Sequence, residues 1–562
     1  MTKQRTSGRT RAQESTNAIE RMYITMRHLF NRGFYKPMGV SGDALRESLL
    51  LLRPEIYGTI AEEKTELDGL LYVVDRLPEG IEECRFINLT SDEGYSNSHF
   101  KAIIPPKRRR NCYRIDSEQM NIEITRGRSE IYDILTHLTF LFIESHKIAK
   151  KVVISDDGST TRDWIKLEEA VKSGKKLSLQ EREIALTHTG NILGRTFSEL
   201  KQSHTQFATK TKPERFLEII YWLGKLAIDE LVYDQKRTVT FSPVLRERLG
   251  HHIHGEIWAD NIKSILKKQD MLKRPIHIIS ANMHSVMNTL FAPNALKSTL
   301  PKQHNFQLYE TLSNEENEAL RNKVKKEALQ KGMTFIPDAS GTNIDVQIFD
   351  ITKIDASKLD IKVDPKLISE QQPVIVVMDY AFGEQAYETI DELLKPVKAN
   401  GEKVYLNIES ISIMGKAGIL DGKKGDVMIP SAHIFEGTAD NYPFKNELSK
   451  NDLEACDVDI YEGTMVTVLG TSLQNKDILK FFKDSTWNVI GLEMEGVHYQ
   501  KAIQSASKIR GSINENVKVR YAYYASDNPL ETGSTLASGG LGTTGVKPTY
   551  VITRKIIEQI LN

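Results

Sequence analysis

Two short stretches place acidic side chains where they can do chemistry. Residues 489–496 read VIGLEMEG: an apolar run ends in Glu493 and Glu495 around Met494, and helix-compatible text follows from Gly496. Residues 519–528 read VRYAYYASDN, a strand-like run that delivers Ser526, Asp527 and Asn528 at its end. Ligands of open α/β sheets collect at the carboxyl ends of strands, so acids carried there are candidates for acid–base work. A carboxyl group kept protonated near neutrality by an apolar pocket can serve as a general acid, typically worth ~10²–10⁴-fold in rate. An aspartate after a strand also serves as a turn or cap residue, and Glu493 also reads as a solvated charge.

Three further segments belong with these. Residues 411–430 read ISIMGKAGILDGKKGDVMIP, in which a strand is expected to lead into a turn at Gly415, Lys416 and Gly418, followed by Gly425-Asp426 and another strand. Glycines in such a turn let the backbone approach a ligand where a side chain would collide. Residues 461–467 read YEGTMVT and lead into a strand expected at 465–469, and residues 382–386, FGEQA, set Gly383 and Glu384 at the entry to a helix. Taken in order, 415–430, 463–467, 493–496 and 526–527 resemble the nucleoside phosphorylase and nucleosidase superfamily, whose members cleave N-glycosidic bonds of nucleosides and nucleotides. The run SDNPLETGSTLASG is similar to the Ser-Asp-Lys-Pro-Leu turn of AMP nucleosidases, which also carry an extra domain ahead of the catalytic one. Residues 382–386 stand where those enzymes have Gly-Pro-Ser-Asn-Ala. The chain departs from that pattern at Glu384-Gln385, which replaces Pro-Ser, and at Lys416-Ala417, which replaces Met-Cys.

The resemblance covers the second half of the chain and implies a specific division of labour. Asp527 would act as the acid at purine N7 and Glu495 would hold the ribose hydroxyls, with Met494 against the sugar. Glu493, Ser526, Asn528, Gly415, Lys416, Gly383, Glu384 and Thr467 would line the substrate. His284, at the end of the first strand of this half, is placed for ribose or phosphate, or for a capping role. Hydrolysis of AMP to adenine and ribose 5-phosphate is the first expectation. Phosphorolysis would need arginines beside a glycine turn. Arg274, Arg321, Arg510 and Arg554 lie outside the matched segments, and Arg520 lies within a strand. That favours water as nucleophile, positioned by Glu384 or Glu409. The alternatives are a phosphate-dependent phosphorylase and, because of the departures at 384–385 and 416–417, a nucleotide sensor that binds without cleaving. The resemblance also implies a homo-oligomer. No cofactor is expected, since proton transfer and electrostatics suffice.

The elements that must position these residues are legible from periodicity. Strands are expected at 276–282, 345–349, 374–378, 403–408, 426–429, 465–469, 489–492 and 519–524, with helices at 283–290, 383–394, 475–483 and 550–561. This alternation gives an α/β fold class: a phosphorylase-like, mixed and largely parallel sheet flanked by helices over 272–562. Residues 1–271 read as a mainly helical N-terminal domain, with helices at 14–31, 41–52, 129–150, 179–196 and 212–232 and a strand at 111–115. That domain is a candidate for substrate-phosphate recognition or regulation. Its Lys107-Arg108-Arg109-Arg110 run reads either as a 5′-phosphate clamp or as a solvated basic loop. His251-His252-x-His254 lacks a partner carboxylate cluster, so no metal is expected.

Composition bounds the rest. A chain of 562 residues with 40% hydrophobic and 27% charged residues exceeds one ordinary core. The balanced formal charge of +0 argues against a general nucleic-acid or membrane-surface binder. Cys84, Cys112 and Cys456 are widely spaced, as in a reducing compartment. No apolar run is long enough to span a bilayer and the polar, basic N-terminus lacks a signal-peptide core, so a cytoplasmic location is expected.

Overall fold

The computed structural model describes residues 10–300, 305–399, 402–438, 440–454, 458–531 and 542–562. The start of the basic tail, Cys456, and residues 532–541 of the run after Asp527 lie outside the described residues. The chain divides into two compact units. One gathers residues up to Thr125 with Glu130–Gly250 and Ser472–Ile478; the other gathers Arg126–Ser129, His251–Thr471 and Leu479–Asn562. Where the sequence suggested a boundary at 271/272, contacts divide the chain at 250/251. The reason is helix 253–268, which packs into the second unit: Trp258 Nε1 donates to the Ile344 carbonyl at 2.9 Å and Lys263 Nζ to the Glu392 carbonyl at 2.7 Å.

The first unit holds the expected helices at 11–32, 40–52 and 215–233. The helix expected over 179–196 ends at Gly194, in the left-handed region at φ 68°, and a second helix runs over 197–207. "Mainly helical" is nevertheless incomplete, because the unit also contains a six-stranded mixed sheet. Its strands are β1 (Phe34–Tyr35), β2 (Phe86–Thr90), β3 (Ala102–Ile103), β4 (Cys112–Arg114), β5 (Gln119–Glu123) and β6 (Thr238–Phe241), in the order β1-β6-β2-β5-β4-β3. None exceeds five residues, too short for an alternating pattern to stand out.

The second unit is built on a ten-stranded sheet. Its members are β7 (Ile276–Ser280), β8 (Met333–Ile336), β9 (Val346–Asp350), β10 (Val374–Met378), β13 (Ile408–Ile419), β14 (Val427–Phe435), β15 (Asn441–Pro443), β16 (Ile460–Thr467), β17 (Val489–Glu493) and β18 (Lys518–Asp527). A separate hairpin, β11 (Val397–Ala399) and β12 (Glu402–Val404), precedes β13. The strand expected at 403–408 is therefore divided between that hairpin and the start of β13. Five pairings are parallel (β7–β10, β7–β13, β13–β18, β14–β16, β16–β17) and five antiparallel (β8–β9, β9–β10, β13–β17, β14–β15, β14–β18). The sheet is thus evenly mixed rather than largely parallel. β18 closes a ring by pairing both β13 and β14.

β7, β10 and β17 are buried along their whole length, as strands covered on both faces must be. Residues of β7 and β10 divide between two apolar clusters with the two-residue period of a strand. Ile279, Ile375 and Val377 join helices 285–295 and 546–561 on one face; Ile276, Ile278, Val374, Val376 and Met378 join helices 253–268, 385–393 and 496–504 on the other. Among the described residues no helix is long and apolar enough to cross a membrane.

Candidate active site

β17 ends on Glu493 and the chain turns at once into helix 496–504, so Glu493 faces the amides of the helix start. Its Oε2 accepts from the backbone N–H of Glu495 and of Gly496, each at 2.5 Å. Its Oε1 accepts from the Thr467 hydroxyl at 2.5 Å, and that hydroxyl oxygen accepts from Val497 N–H at 3.0 Å. Anions are favoured at this end of a helix. Burial raises the Glu493 pKa, and these donors offset part of the rise. A Cβ on Gly496 would fall 2.3 Å from the His433 ring and 2.7 Å from Glu493 Oε1, so no side chain fits there. Glu493 and Thr467 are thereby committed to holding the turn.

What that turn presents is Glu495. Its Oε1 accepts from Gly383 N–H at 3.0 Å, tying the end of β17 to the loop after β10. Burial, reinforced by the charge of Glu493, raises the Glu495 pKa. Met494, half-buried, lies between the two acids in sequence. Gly383 has φ 56°, and a Cβ there would sit 2.1 Å from Ser129 Oγ, which itself accepts from Glu384 N–H at 2.9 Å. The segment 126–129 adds two cations to this turn. The Arg126 guanidinium lies 5.8 Å from the Phe382 ring centroid, and Arg128 Nη1 is 4.0 Å from Glu384 Oε2.

β18 brings the second acid. Asp527 is its last residue and pairs in register with Gly418 of β13, whose other neighbour is Leu492 of β17. The ends of β17 and β18 therefore flank one strand, about 10 Å apart at the backbone. The Ser526 hydroxyl lies 2.5 Å from Asp527 Oδ1 and 3.1 Å from the Ala417 carbonyl. Asp527 is buried at 7% exposure, and among the described residues its Oδ2 has no hydrogen-bond partner. Burial raises its pKa; the Ser526 hydrogen bond and the charges of Lys416 and Lys424 pull part of the way back. Asn528 is committed to the turn, donating from Nδ2 to the Gly422 carbonyl at 3.1 Å and accepting from Leu530 N–H at 3.0 Å.

Other expected residues fall differently. Gly415 and Lys416 lie inside continuous strand β13, not in a turn, because β18 pairs that strand in parallel from Ser410 to Gly418. A Cβ at Gly415 would meet nothing nearer than Tyr380 Cε1 at 3.6 Å. His284 is exposed just ahead of helix 285–295, its N–H bonded to Asn282 Oδ1 at 3.0 Å. Glu409 is exposed at the start of β13, level with the start of β7 and so at the opposite end from Asp527. The arginines of the second half are held elsewhere: Arg274 by Asp350, Arg510 by Asp391, Arg554 by Asp360, Arg520 by Gln559, and Arg321 by the carbonyls of 312–315. His254 Nδ1 lies 2.6 Å from the Ser340 carbonyl, and His252 Nδ1 lies 3.8 Å from Glu392 Oε1. Among the described residues no group of three or more His, Cys, Asp or Glu side chains could hold a metal ion.

A family model described as "Family of unknown function (DUF6909)" matches residues 43–301 and 294–562. The chain belongs to that family. No curated protein matches this DUF6909 chain. Among solved structures it is similar to a futalosine hydrolase mutant of Helicobacter pylori, at 12% identity over 51% of this chain and 98% of the other, with a TM-score of 0.30. It is similar to a Campylobacter jejuni 5′-methylthioadenosine/S-adenosylhomocysteine nucleosidase at 11% identity, over 51% and 98%, with a TM-score of 0.30. A Streptococcus pneumoniae MTA/SAH nucleosidase in complex with 8-aminoadenine is 12% identical over 50% and 98%, with a TM-score of 0.29.

Sequence reasoning passed over several residues of the DUF6909 site. Arg126, Arg128 and Ser129 stand some 250 positions before the Gly383 turn they touch (|i−j| is 255 for Ser129 and Glu384), so no local pattern announces them. Glu436, at the end of β14, is 3% exposed, and its Oε2 accepts from Leu469 N–H at 3.1 Å. Its signal was available: an acid directly after an apolar strand.

Proposed function

We propose that this chain is a purine nucleotide or nucleoside N-glycosidase that hydrolyses the bond between base and sugar, with AMP the first substrate to try. The observation that carries the reading is Asp527: a buried carboxyl with one oxygen unmet, on one flank of Gly418 while the turn bearing Glu495 forms the other. Breaking the glycosidic bond leaves the purine electron-rich and the ribose ring cationic. Asp527, whose acid form burial favours, donates to purine N7 as the bond lengthens. Glu495 accepts from the ribose hydroxyls, and its ionised form, favoured by those donors against the burial that raises its pKa, stabilises positive charge on the ring. Glu493 and Thr467 act through Glu495 by fixing the turn. Water completes the reaction, with Glu384 at the Gly383 turn the candidate to orient it.

A second reading, phosphorolysis, is favoured by Arg126 and Arg128 at the Gly383 turn, since guanidiniums beside backbone amides suit phosphate. Chromatography after incubation with AMP, adenosine, inosine and methylthioadenosine, with and without phosphate, separates the two. Adenine and ribose 5-phosphate formed from AMP without phosphate is the expected result. Base release that requires phosphate would install the phosphorylase reading, and release from none of the four would overturn both.

A further inference from the structure

Only part of the Lys107–Arg110 run is solvated. Lys107 and Arg109 are exposed, Arg108 is half-buried, and Arg110 is 3% exposed. Within the first unit, Arg110 Nε faces Glu130 Oε1 at 3.1 Å and its Nη2 lies 3.7 Å from Asp133 Oδ2. Arg108 donates to that same Asp133 oxygen from Nε and Nη2, at 3.4 and 3.3 Å. His137, one helical turn on, sets Nε2 3.3 Å from the other Asp133 oxygen, and its Nδ1 is 3.0 Å from the Tyr57 hydroxyl. Arg76, 8% exposed, lies over the Tyr72 ring at 3.4 Å, and that ring meets His137 edge-on at 5.8 Å.

The charges here do not cancel. Three guanidiniums face two carboxylates, Asp133 and Glu130, while the next acid, Asp75, is 3.8 Å from Arg215. His137 does not alter the balance. Burial, opposed by Asp133 and joined by all three guanidiniums, holds its pKa down to about 4, so it is neutral. Burial works against the Asp133 carboxylate, yet His137, Arg108 and Arg110 hold its pKa down to about 2, so it is ionised and fully engaged. The hydrogen bonds are unbalanced in the same sense. Arg110 Nη1 and Arg76 Nε are buried and, among the described residues, have no hydrogen-bond partner. Buried N–H groups in folded proteins are nearly always met, and a charged one is costly to leave unmet.

We propose that Arg76, Arg108 and Arg110 form an anion site in the first unit that takes a phosphate group, with Arg108 at its solvent edge. A phosphate matches the surplus charge and the unmet donors together, because its oxygens accept from several guanidinium forks at once. The same chemistry is offered by inorganic phosphate and by the phosphate of a nucleotide.

Titration calorimetry on the full-length protein tests this. Inorganic phosphate should bind saturably, and Arg108→Gln should weaken that binding about tenfold or more. Arg110→Gln should weaken it further; circular dichroism reports whether that variant still folds, and Arg108→Gln keeps the test decisive if it does not. Run in a Glu495→Gln background, AMP bound more tightly than phosphate and lost with Arg108→Gln identifies a nucleotide as the ligand. Equal affinities for AMP and phosphate, with adenosine silent, identify free phosphate. Absence of saturable phosphate binding, or an affinity unchanged by Arg108→Gln, overturns the proposal.

Discussion

The ends of β17 and β18 each bury a carboxylate, and the two are treated in opposite ways. Glu493 meets three donors: the Thr467 hydroxyl and the amides of Glu495 and Gly496. Asp527 meets one hydroxyl with one oxygen and nothing with the other. Burial raises both pKa values, so the titration direction alone does not tell a structural acid from a reactive one. What separates them is how much of each acid the fold has claimed: Glu493 is held by three donors and Asp527 by one hydroxyl, so of the two Asp527 keeps more capacity for a ligand.

Replacing each acid tests the contrast most directly. Asp527→Asn should cost ~10²–10⁴-fold in base release, the usual worth of a general acid, with stability unchanged or slightly improved. The wild-type profile carries a sign. Because burial raises the Asp527 pKa, its acid form persists above the ordinary carboxylate range, and kcat/KM should fall as pH rises through the raised value. Base release by Asp527→Asn at the wild-type rate would remove the acid role. Glu493→Ala should do the reverse of Asp527→Asn, destabilising by about 3–4 kcal/mol as the hydroxyl and both amides lose their acceptor. A urea midpoint for Glu493→Ala equal to wild type would show that the turn holds without its cap.

Gly383 sharpens the comparison from the side of Glu495. At φ 56°, with Ser129 Oγ where a Cβ would go, Gly383→Ala should cost about 2 kcal/mol and disturb the amide that Glu495 accepts from. Activity should fall with it. Unfolding curves and initial rates measured together decide whether the loop after β10 positions Glu495: a rate unchanged in a destabilised variant would mean that it does not.

These contrasts were only partly visible in the sequence. β10 and β17 lie within a residue of their expected bounds, because a strand buried on both faces must be an uninterrupted apolar run, and few other structures require one. The placement of Glu493, Glu495 and Asp527 at strand ends followed from the same runs. β13 was misread because Gly415, Lys416 and Gly418 resemble turn chemistry. What keeps the strand extended there is pairing with β18 and, at Gly418, with β17, both remote in sequence. The division of labour between Glu493 and Glu495 was equally hidden. Two acids two residues apart look alike until the helix amides that claim one of them are in place.

Glu436 extends the contrast to an intermediate case. It directly follows β14, and among the described residues its donor is the Leu469 amide. Burial, offset in part by that amide, pushes its pKa up to about 7 from 4.5. The folded state therefore holds a proton that the unfolded state releases. The stability this contributes is fully present below about pH 4.5 and is lost as pH rises through about 7. Glu436→Gln keeps an oxygen to accept from Leu469 and never ionises. At pH 5 the variant should lie within about 1 kcal/mol of wild type, and at pH 8 it should have gained about 2–3 kcal/mol on it. Urea midpoints at the two pH values give the difference. A gap that does not open between them would mean that Glu436 has donors enough to ionise freely, which would place it with Glu493 among the acids the fold has already satisfied.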